Sequence, residues 1–250
     1  MSLTDGQLDR YARHIVLREI GGAGQVRLLA ANVAVIGAGG LGSPCLQFLA
    51  AAGVGRLTVI DDDHVALSNL QRQVLHGTAD VGRAKTDSAR DAIARLNPDV
   101  VVRTEFVRLD ADNVEALLYG HNVVADGSDS FATRLVVADT ALALQIPLVS
   151  AAVGPFDGQI ATFRGWEGGL PCYRCYVGAA AEQPDASCAD QGVLGALTGI
   201  VGAMQALEVV REITGFGTSL AGRLLLYDAL APRMRTLRLT KDPGCTACGR

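Results

Sequence analysis

The sequence carries no excess of positive charge: its 250 residues hold 22 Lys and Arg against 26 Asp and Glu, a formal net charge of −4. No global positive field therefore attracts nucleic acid or an anionic membrane, and an anionic ligand must be gripped locally. Met1 to Arg10 contain no apolar segment of the kind a secretory signal needs, so a cytoplasmic location is expected. A long charge-free apolar run is also missing. The nearest approach, Gly192 to Val210, includes Gln205 and Glu208 and is followed by Arg211, which predicts a buried helix rather than a membrane span. Gly195 and Gly199 in that segment would admit another backbone closely, including at a subunit interface. Without a secretion signal the six cysteines do not read as a disulfide framework; metal binding or reactive thiols are left. His14, His64, His76 and His121 lack metal-ligand spacing, and surface or packing roles are expected. No repeat, low-complexity tract or linker divides the chain, and 49% hydrophobic residues suffice for a substantial core.

What is present is an alternation of short β runs with helical stretches. Asn32 to Ile36 (NVAVI) leads through Gly37-Ala38-Gly39-Gly40-Leu41-Gly42 into a helix over Cys45 to Ala52. Arg56 to Ile60 (RLTVI) ends at Asp61, and Ala89, Ile93 and Leu96 then mark one face of a helix stopped by Asn97-Pro98. Further β runs are read at Val100 to Val102, Asn122 to Ala125 and Pro147 to Val149, with helices at Ala111 to Leu118 and Phe131 to Leu144. The pattern predicts an α/β fold with a mainly parallel sheet covered on both faces. After Ala151 the rhythm changes: a strand at Gly158 to Phe163, a long loop from Arg164 to Ala189, the Gly192 to Thr214 helix, then strands at Arg223 to Tyr227 and Arg235 to Leu239.

Gly37, Gly39 and Gly42 fit G-x-G-x-x-G between a strand and a helix, where bare N–H groups and a helix N-terminus favour phosphate. Asp61, about 20 residues on at the next strand end, is placed to accept ribose hydroxyls. This much indicates a nucleotide without separating NAD from ATP. Ser68-Asn69-Leu70-Gln71-Arg72-Gln73 follows the acidic cluster Asp61-Asp62-Asp63, and Lys85 opens the next helix. Extra cations near the turn suit a triphosphate better than a pyrophosphate; the bland alternative is ordinary surface charge. Cys172 with Cys175 and Cys245 with Cys248 are two C-x-x-C hooks, favouring a closed, structural Zn²⁺ site over redox chemistry. Cys45 reads as buried packing.

Taken together, G-A-G-G-L-G, D-x-D-x-V-x-L-S-N-L-Q-R-Q, a following lysine and two C-x-x-C pairs resemble the MoeB/ThiF family of adenylyltransferases, relatives of ubiquitin-activating enzymes. The resemblance runs from Arg10-Tyr11-x-Arg13 and Val16-Leu17-Arg18 to Pro243-Gly244-Cys245-x-x-Cys248-Gly249. It implies one Rossmann-like domain over 1–250, with an N-terminal helical segment at 1–30 and a nucleotide-binding core at 31–150. Residues 151–250 would hold the carrier-binding, crossover-loop and zinc region, with antiparallel strands extending the sheet and zinc pinning the tail.

The implied activity is ATP-dependent adenylylation of the C-terminal glycine of a ubiquitin-like sulfur carrier ending in Gly-Gly, of the MoaD or ThiS type, by a homodimer. The resemblance places Gly37, Gly39, Gly40, Gly42 and Asp61 on the nucleotide. Ser68, Asn69, Gln71, Arg72 and Lys85 lie along its phosphates, Asp129 holds Mg²⁺, and Arg13 reaches across the dimer. On residue type alone Asp129 reads first as a helix N-cap beside Ser128 and Ser130, and only the resemblance makes it a metal ligand. The family has asparagine where this chain has Ser130, which keeps a hydroxyl but lacks the amide's reach. Cys188 resembles the family's crossover-loop cysteine, with a reactive thiolate and an inert loop residue both open. An already ionised carboxylate is the nucleophile, so alignment and charge stabilisation matter more than a histidine base. Two other readings stand beside this one: an NAD-dependent oxidoreductase, which leaves S-N-L-Q-R-Q and Lys85 unexplained, and a non-catalytic zinc scaffold for a ubiquitin-like partner.

Overall fold

A computed structural model describes residues 3–178 and 192–249. The apolar runs become strands β1 (Asn32–Ile36), β2 (Arg56–Ile60), β3 (Val101–Glu105), β4 (Val123–Asp126), β5 (Leu148–Val153), β6 (Asp157–Phe163), β7 (Arg223–Asp228) and β8 (Arg233–Arg238). They form one sheet in the order β3-β2-β1-β4-β5-β6-β7-β8. The first five are mutually parallel, and β6, β7 and β8 add on antiparallel. The parallel set needs helical crossovers, whereas the tight Gly154–Phe156 turn, closed by Gly154 N donating to Asp157 O (2.8 Å), suffices to reverse the chain into β6.

The helices are α1 (Asp5–Arg10), α2 (Ala12–Ile15), α3 (Gly21–Ala30), α4 (Gly42–Ala52), α5 (Lys85–Leu96), α6 (Val114–Leu118), α7 (Phe131–Ala143), α8 (Tyr173–Val177) and α9 (Gly195–Thr214). Because strand side chains alternate, Val33 and Val35 of β1 join the core under α3, α4, α5 and α9, while Ala34 and Ile36 join the opposite core under α6, α7 and α8. The mainly parallel sheet with two covered faces is thus what the alternation predicted, and the antiparallel extension is what the family resemblance implied.

No helix among the described residues is long and apolar enough to cross a membrane. The polar residues that interrupt the apolar run in α9 fasten it to the sheet. Glu208, fully buried, accepts from Thr162 Oγ1 (2.9 Å) and Leu220 N (2.7 Å) and pairs with Arg211. Gln205 Nε2 donates to Asp126 O (2.9 Å) and Val149 O (3.0 Å). The small residues of α9 meet backbone within the same chain: a Cβ on Gly195 would stand 2.0 Å from Gln71 O and one on Gly202 2.4 Å from Leu41 O, whereas Gly199 faces open space.

Element boundaries differ from the sequence reading for local reasons. Helix α4 begins at Gly42 rather than Cys45, and α9 at Gly195 rather than Gly192. Helix α6 begins at Val114 rather than Ala111, because Asp110 Oδ1 accepts from the amides of Asp112 (3.0 Å) and Asn113 (3.2 Å) and holds a turn there. The span read as loop from Arg164 contains α8, starting directly after Cys172. Strand β3 runs on to Glu105, β8 lies at Arg233–Arg238 rather than Arg235 to Leu239, and Leu96, the last residue of α5, is 44% exposed rather than on its buried face.

The close approach of α9 to the α4 entrance yields a paired expectation. Gly202→Ala should destabilise by about 1–3 kcal/mol through overpacking. Gly199→Ala should be neutral or stabilise by up to about 1 kcal/mol through helix propensity. Urea unfolding midpoints of the two variants check this.

Candidate active site

The strand order reverses between β1 and β4, so the loops leaving their carboxyl ends diverge and open a crevice, the usual ligand position in such sheets. A cavity of about 550 Å³ occupies it, walled by the ends of β1, β2, β4 and β5 and by residues before α5 and at the start of α9. Gly37 takes a φ of 87°, and a Cβ on Gly42 would stand 1.8 Å from Gly37 O, so this turn needs glycine at both points. Gly42 thereby shapes the cavity without lining it, while Gly37, Gly39 and Gly40 do line it. Among the described residues the amides of Gly39 and Gly40 have no hydrogen-bond acceptor. Asp61 Oδ2 accepts from Ala38 N (2.7 Å) and Oδ1 from Asp63 N (2.8 Å), which orients the carboxylate at the cavity edge. Burial pushes its pKa above the ordinary aspartate value, with nearby Lys85 pulling the other way.

The cation-bearing segment comes down on the opposite side. Asn69 and Arg72 line the cavity. Asn69 Oδ1 accepts from Ala66 N (3.2 Å), leaving its amide nitrogen uncommitted, and Arg72 Nη1 donates to Ser68 O (3.2 Å). Lys85 lies at the start of α5 with its side chain 6% exposed and its Nζ 2.7 Å from Asp63 Oδ2, whose own side chain is 69% exposed. Ser68 and Gln71 are exposed and do not line the cavity; their contribution is the backbone turn that presents Asn69 and Arg72. Arg13 is exposed on α2 and is likewise outside this chain's cavity.

Asp129 is exposed at the cavity wall, and the cap of α7 is Ser130, whose Oγ accepts from Thr133 N (3.3 Å). Capping therefore occupies the serine and leaves the aspartate facing the cavity. Gln73 and Arg134 are among the lining residues that the sequence reading left unassigned. Gln73, 3% exposed, was within the quoted motif. Arg134 sits in the first turn of α7 and donates to Ala151 O (2.8 Å), Ser150 Oγ (3.2 Å) and Ser128 O, clamping the Gly127–Ser130 loop to β5. An arginine so early in a mainly apolar helix was the available signal.

Outside the cavity lining, the sulfurs of Cys172, Cys175, Cys245 and Cys248 lie within 4.8 Å of one another. The separations Cys172–Cys175 (3.8 Å), Cys172–Cys245 (3.6 Å) and Cys175–Cys248 (3.4 Å) are too long for disulfides. They are near the sulfur–sulfur edge of about 3.8 Å that a tetrahedral Zn–S₄ centre requires. Cys45 is fully buried and its thiol is pushed up to about 12 by that burial, consistent with packing alone. Cys188 lies outside the described residues. His14 bonds Gln25 Oε1 (3.1 Å), His121 bonds Thr58 Oγ1 (2.9 Å), and exposed His64 stands edge-on to Phe106; none joins the cavity.

The raised pKa of Asp61 fixes the sign of a pH effect. A carboxyl that holds its proton more tightly when folded adds stability at low pH, lost as pH rises through its native value. Wild type should therefore lose stability relative to Asp61→Asn as pH rises from about 4 through the carboxylate range, read as the difference in their unfolding-midpoint slopes.

The description "ThiF family" matches residues 11–247. The chain is 47% identical over 252 residues to the SAMP-activating enzyme E1 of Haloferax volcanii, covering 100% of this chain and 92% of the relative. It is 40% identical over 247 residues to the molybdopterin-synthase adenylyltransferase of Escherichia coli K12, covering 99% and 98%. In fold it resembles E. coli MccB solved with MccA-N7isoASN, at a TM-score of 0.86 and 20% identity over 98% of this chain and 76% of that one. Since the family match takes in the glycine turn, the acidic strand end and the cation-bearing loop alike, the chain belongs to the ThiF family.

Proposed function

We propose that this chain is an adenylyltransferase that uses ATP to activate the C-terminal glycine of a ubiquitin-like sulfur carrier. The observation that carries the reading is convergence: Gly39 and Gly40, Asp61, Asn69 with Arg72, Lys85 and Asp129 come from separate segments and line one cavity. The curated relatives described above carry the names of an activating enzyme and an adenylyltransferase.

The donor set fits ATP. Asp61 accepts the ribose hydroxyls, the free Gly39 and Gly40 amides face phosphate oxygens, and Asn69, Arg72 and Lys85 supply the remaining donors and charge. Asp129 is the carboxylate that would hold Mg²⁺, which screens the triphosphate and leaving pyrophosphate. The incoming carboxylate forms a bond to the α-phosphorus as the bond to the β-phosphate oxygen breaks, giving an acyl-adenylate and pyrophosphate. Alignment and stabilisation of departing charge carry the rate. Lys85 is held by Asp63 meanwhile; the Asp63 carboxylate is already solvated, so the buried ammonium can exchange it for a phosphate oxygen without standing unpaired.

The enzyme works as a homodimer, with the partner subunit's Arg13 completing the γ-phosphate end of this cavity. Residues 151–250 form the carrier-binding region, with the four cysteines closed on a structural zinc. Sulfur transfer in molybdopterin or thiamin biosynthesis is the metabolic setting, the carrier being of the MoaD or ThiS type. Cys188 is assigned no step.

ATP/pyrophosphate exchange tests the reading, run with no carrier, a MoaD-type carrier and a ThiS-type carrier. Exchange should require one carrier, and Lys85→Ala or Asp129→Ala should lower it by about 100-fold or more at unchanged fold. Exchange without any carrier, or ATP binding with none of these carriers active, counts against it. Separately, Cys172→Ser with Cys248→Ser should abolish retained zinc, measured by elemental analysis, and lower the unfolding temperature by about 5 °C or more.

A further inference from the structure

The sequence reading gave His76 a surface or packing role; it is 7% exposed, and both of its ring nitrogens are engaged at the glycine turn. Nε2 lies 2.9 Å from Ala38 O, and Nδ1 lies 2.8 Å from Ser88 Oγ on α5. A carbonyl oxygen only accepts, so Nε2 carries the proton; Nδ1 meets a Ser88 hydroxyl that also hydrogen-bonds the Asp80 carboxylate. Burial lowers the pKa of the ring, against the hydrogen bond to Ala38 O, which raises it. Ser43 Oγ donates to the same Ala38 oxygen at 3.2 Å.

The direction of that oxygen matters because a peptide is planar and, with no cis bonds among the described residues, its carbonyl and the following amide point opposite ways. The Ala38 carbonyl is drawn toward the buried His76 and Ser43, so the Gly39 amide faces away from them, on the side where Gly39 lines the cavity. Glycine at 39 offers no side-chain resistance to the reverse orientation. A flipped peptide would present a carbonyl oxygen, rather than an N–H, to an anionic ligand.

We infer that His76 is a positioning residue for the nucleotide: its Nε2–H holds the Ala38–Gly39 peptide so that the Gly39 amide is available to the phosphates of ATP. Serine at 88 then has a part as well, since its contact with Nδ1 holds the plane of the ring. The inference rests on the ATP reading above, and is tested apart from it.

The experiment is isothermal titration of zinc-loaded protein with Mg·ATP, alongside carrier KM, zinc content and unfolding midpoint, for wild type, His76→Phe, His76→Gln and Ser88→Ala. His76→Phe keeps a ring but no donor, and should weaken ATP about 10-fold while leaving carrier KM and zinc content unchanged. His76→Gln restores an N–H near the Nε2 position and should stay within about 3-fold of wild type. Ser88→Ala should fall between them. Wild-type affinity in folded His76→Phe, or an equal loss in His76→Gln, overturns the inference. If His76→Phe does not fold, unchanged ATP affinity in Ser88→Ala overturns it instead, and weakened affinity supports it. Failure of wild type itself to bind ATP refutes the nucleotide reading.

Discussion

The hydrogen bond from the Ala38 amide to Asp61 joins the ends of the first two strands, and the geometry of the site hangs on it. It fixes the carboxylate that faces the cavity and anchors the turn whose next two amides are free. For the turn to reach Asp61, the chain must fold back until Gly37 O lies where a side chain on Gly42 would begin. Gly40 is packed against Thr198 of α9, and Gly127 against Leu41, so the turn is also enclosed from above and from the β4 side. A local backbone requirement at six consecutive residues thereby dictates how closely α4, α9 and the β4 loop approach one another.

Electrostatically the crevice resolves the problem posed by an acidic chain. A net charge of −4 offers no long-range attraction for a triphosphate, and the cavity wall itself includes Asp61, Asp62 and Asp63. Attraction falls to the lining cations Arg72, Lys85, Arg108 and Arg134 and to oriented amides, all effective only at short range. The buried Lys85 is paired with an exposed partner, an asymmetry in which one member returns readily to solvent and the other needs an anion in its place.

Much of this was legible in the sequence because the signals were local. Strand–glycine turn–helix, the aspartate at the next strand end and the paired cysteines each depend on a few neighbouring residues, and the structure brings the matching pieces together. Boundaries were less legible where side chains rewrote them, as at Asp110 before α6. Roles that depend on distant partners were hidden: Arg134 clamps a loop onto β5, and His76 meets Ala38 across 38 positions. Ser130 is instructive in the other direction. As a departure from the family pattern it cast doubt on a phosphate contact, yet as the cap of α7 it has a local function that leaves Asp129 unburdened.

The cysteine cluster joins two hooks 73 positions apart, with α9, β7 and β8 between them. A metal held by all four sulfurs would make that stretch a closed ring of chain. The antiparallel extension could then neither peel from the sheet edge nor separate as a unit without first surrendering the ion. Chain topology and metal occupancy would become one variable: partial unfolding of this region would be registered as metal loss, and a chain severed before Cys245 would retain the cavity's described walls but never close the ring.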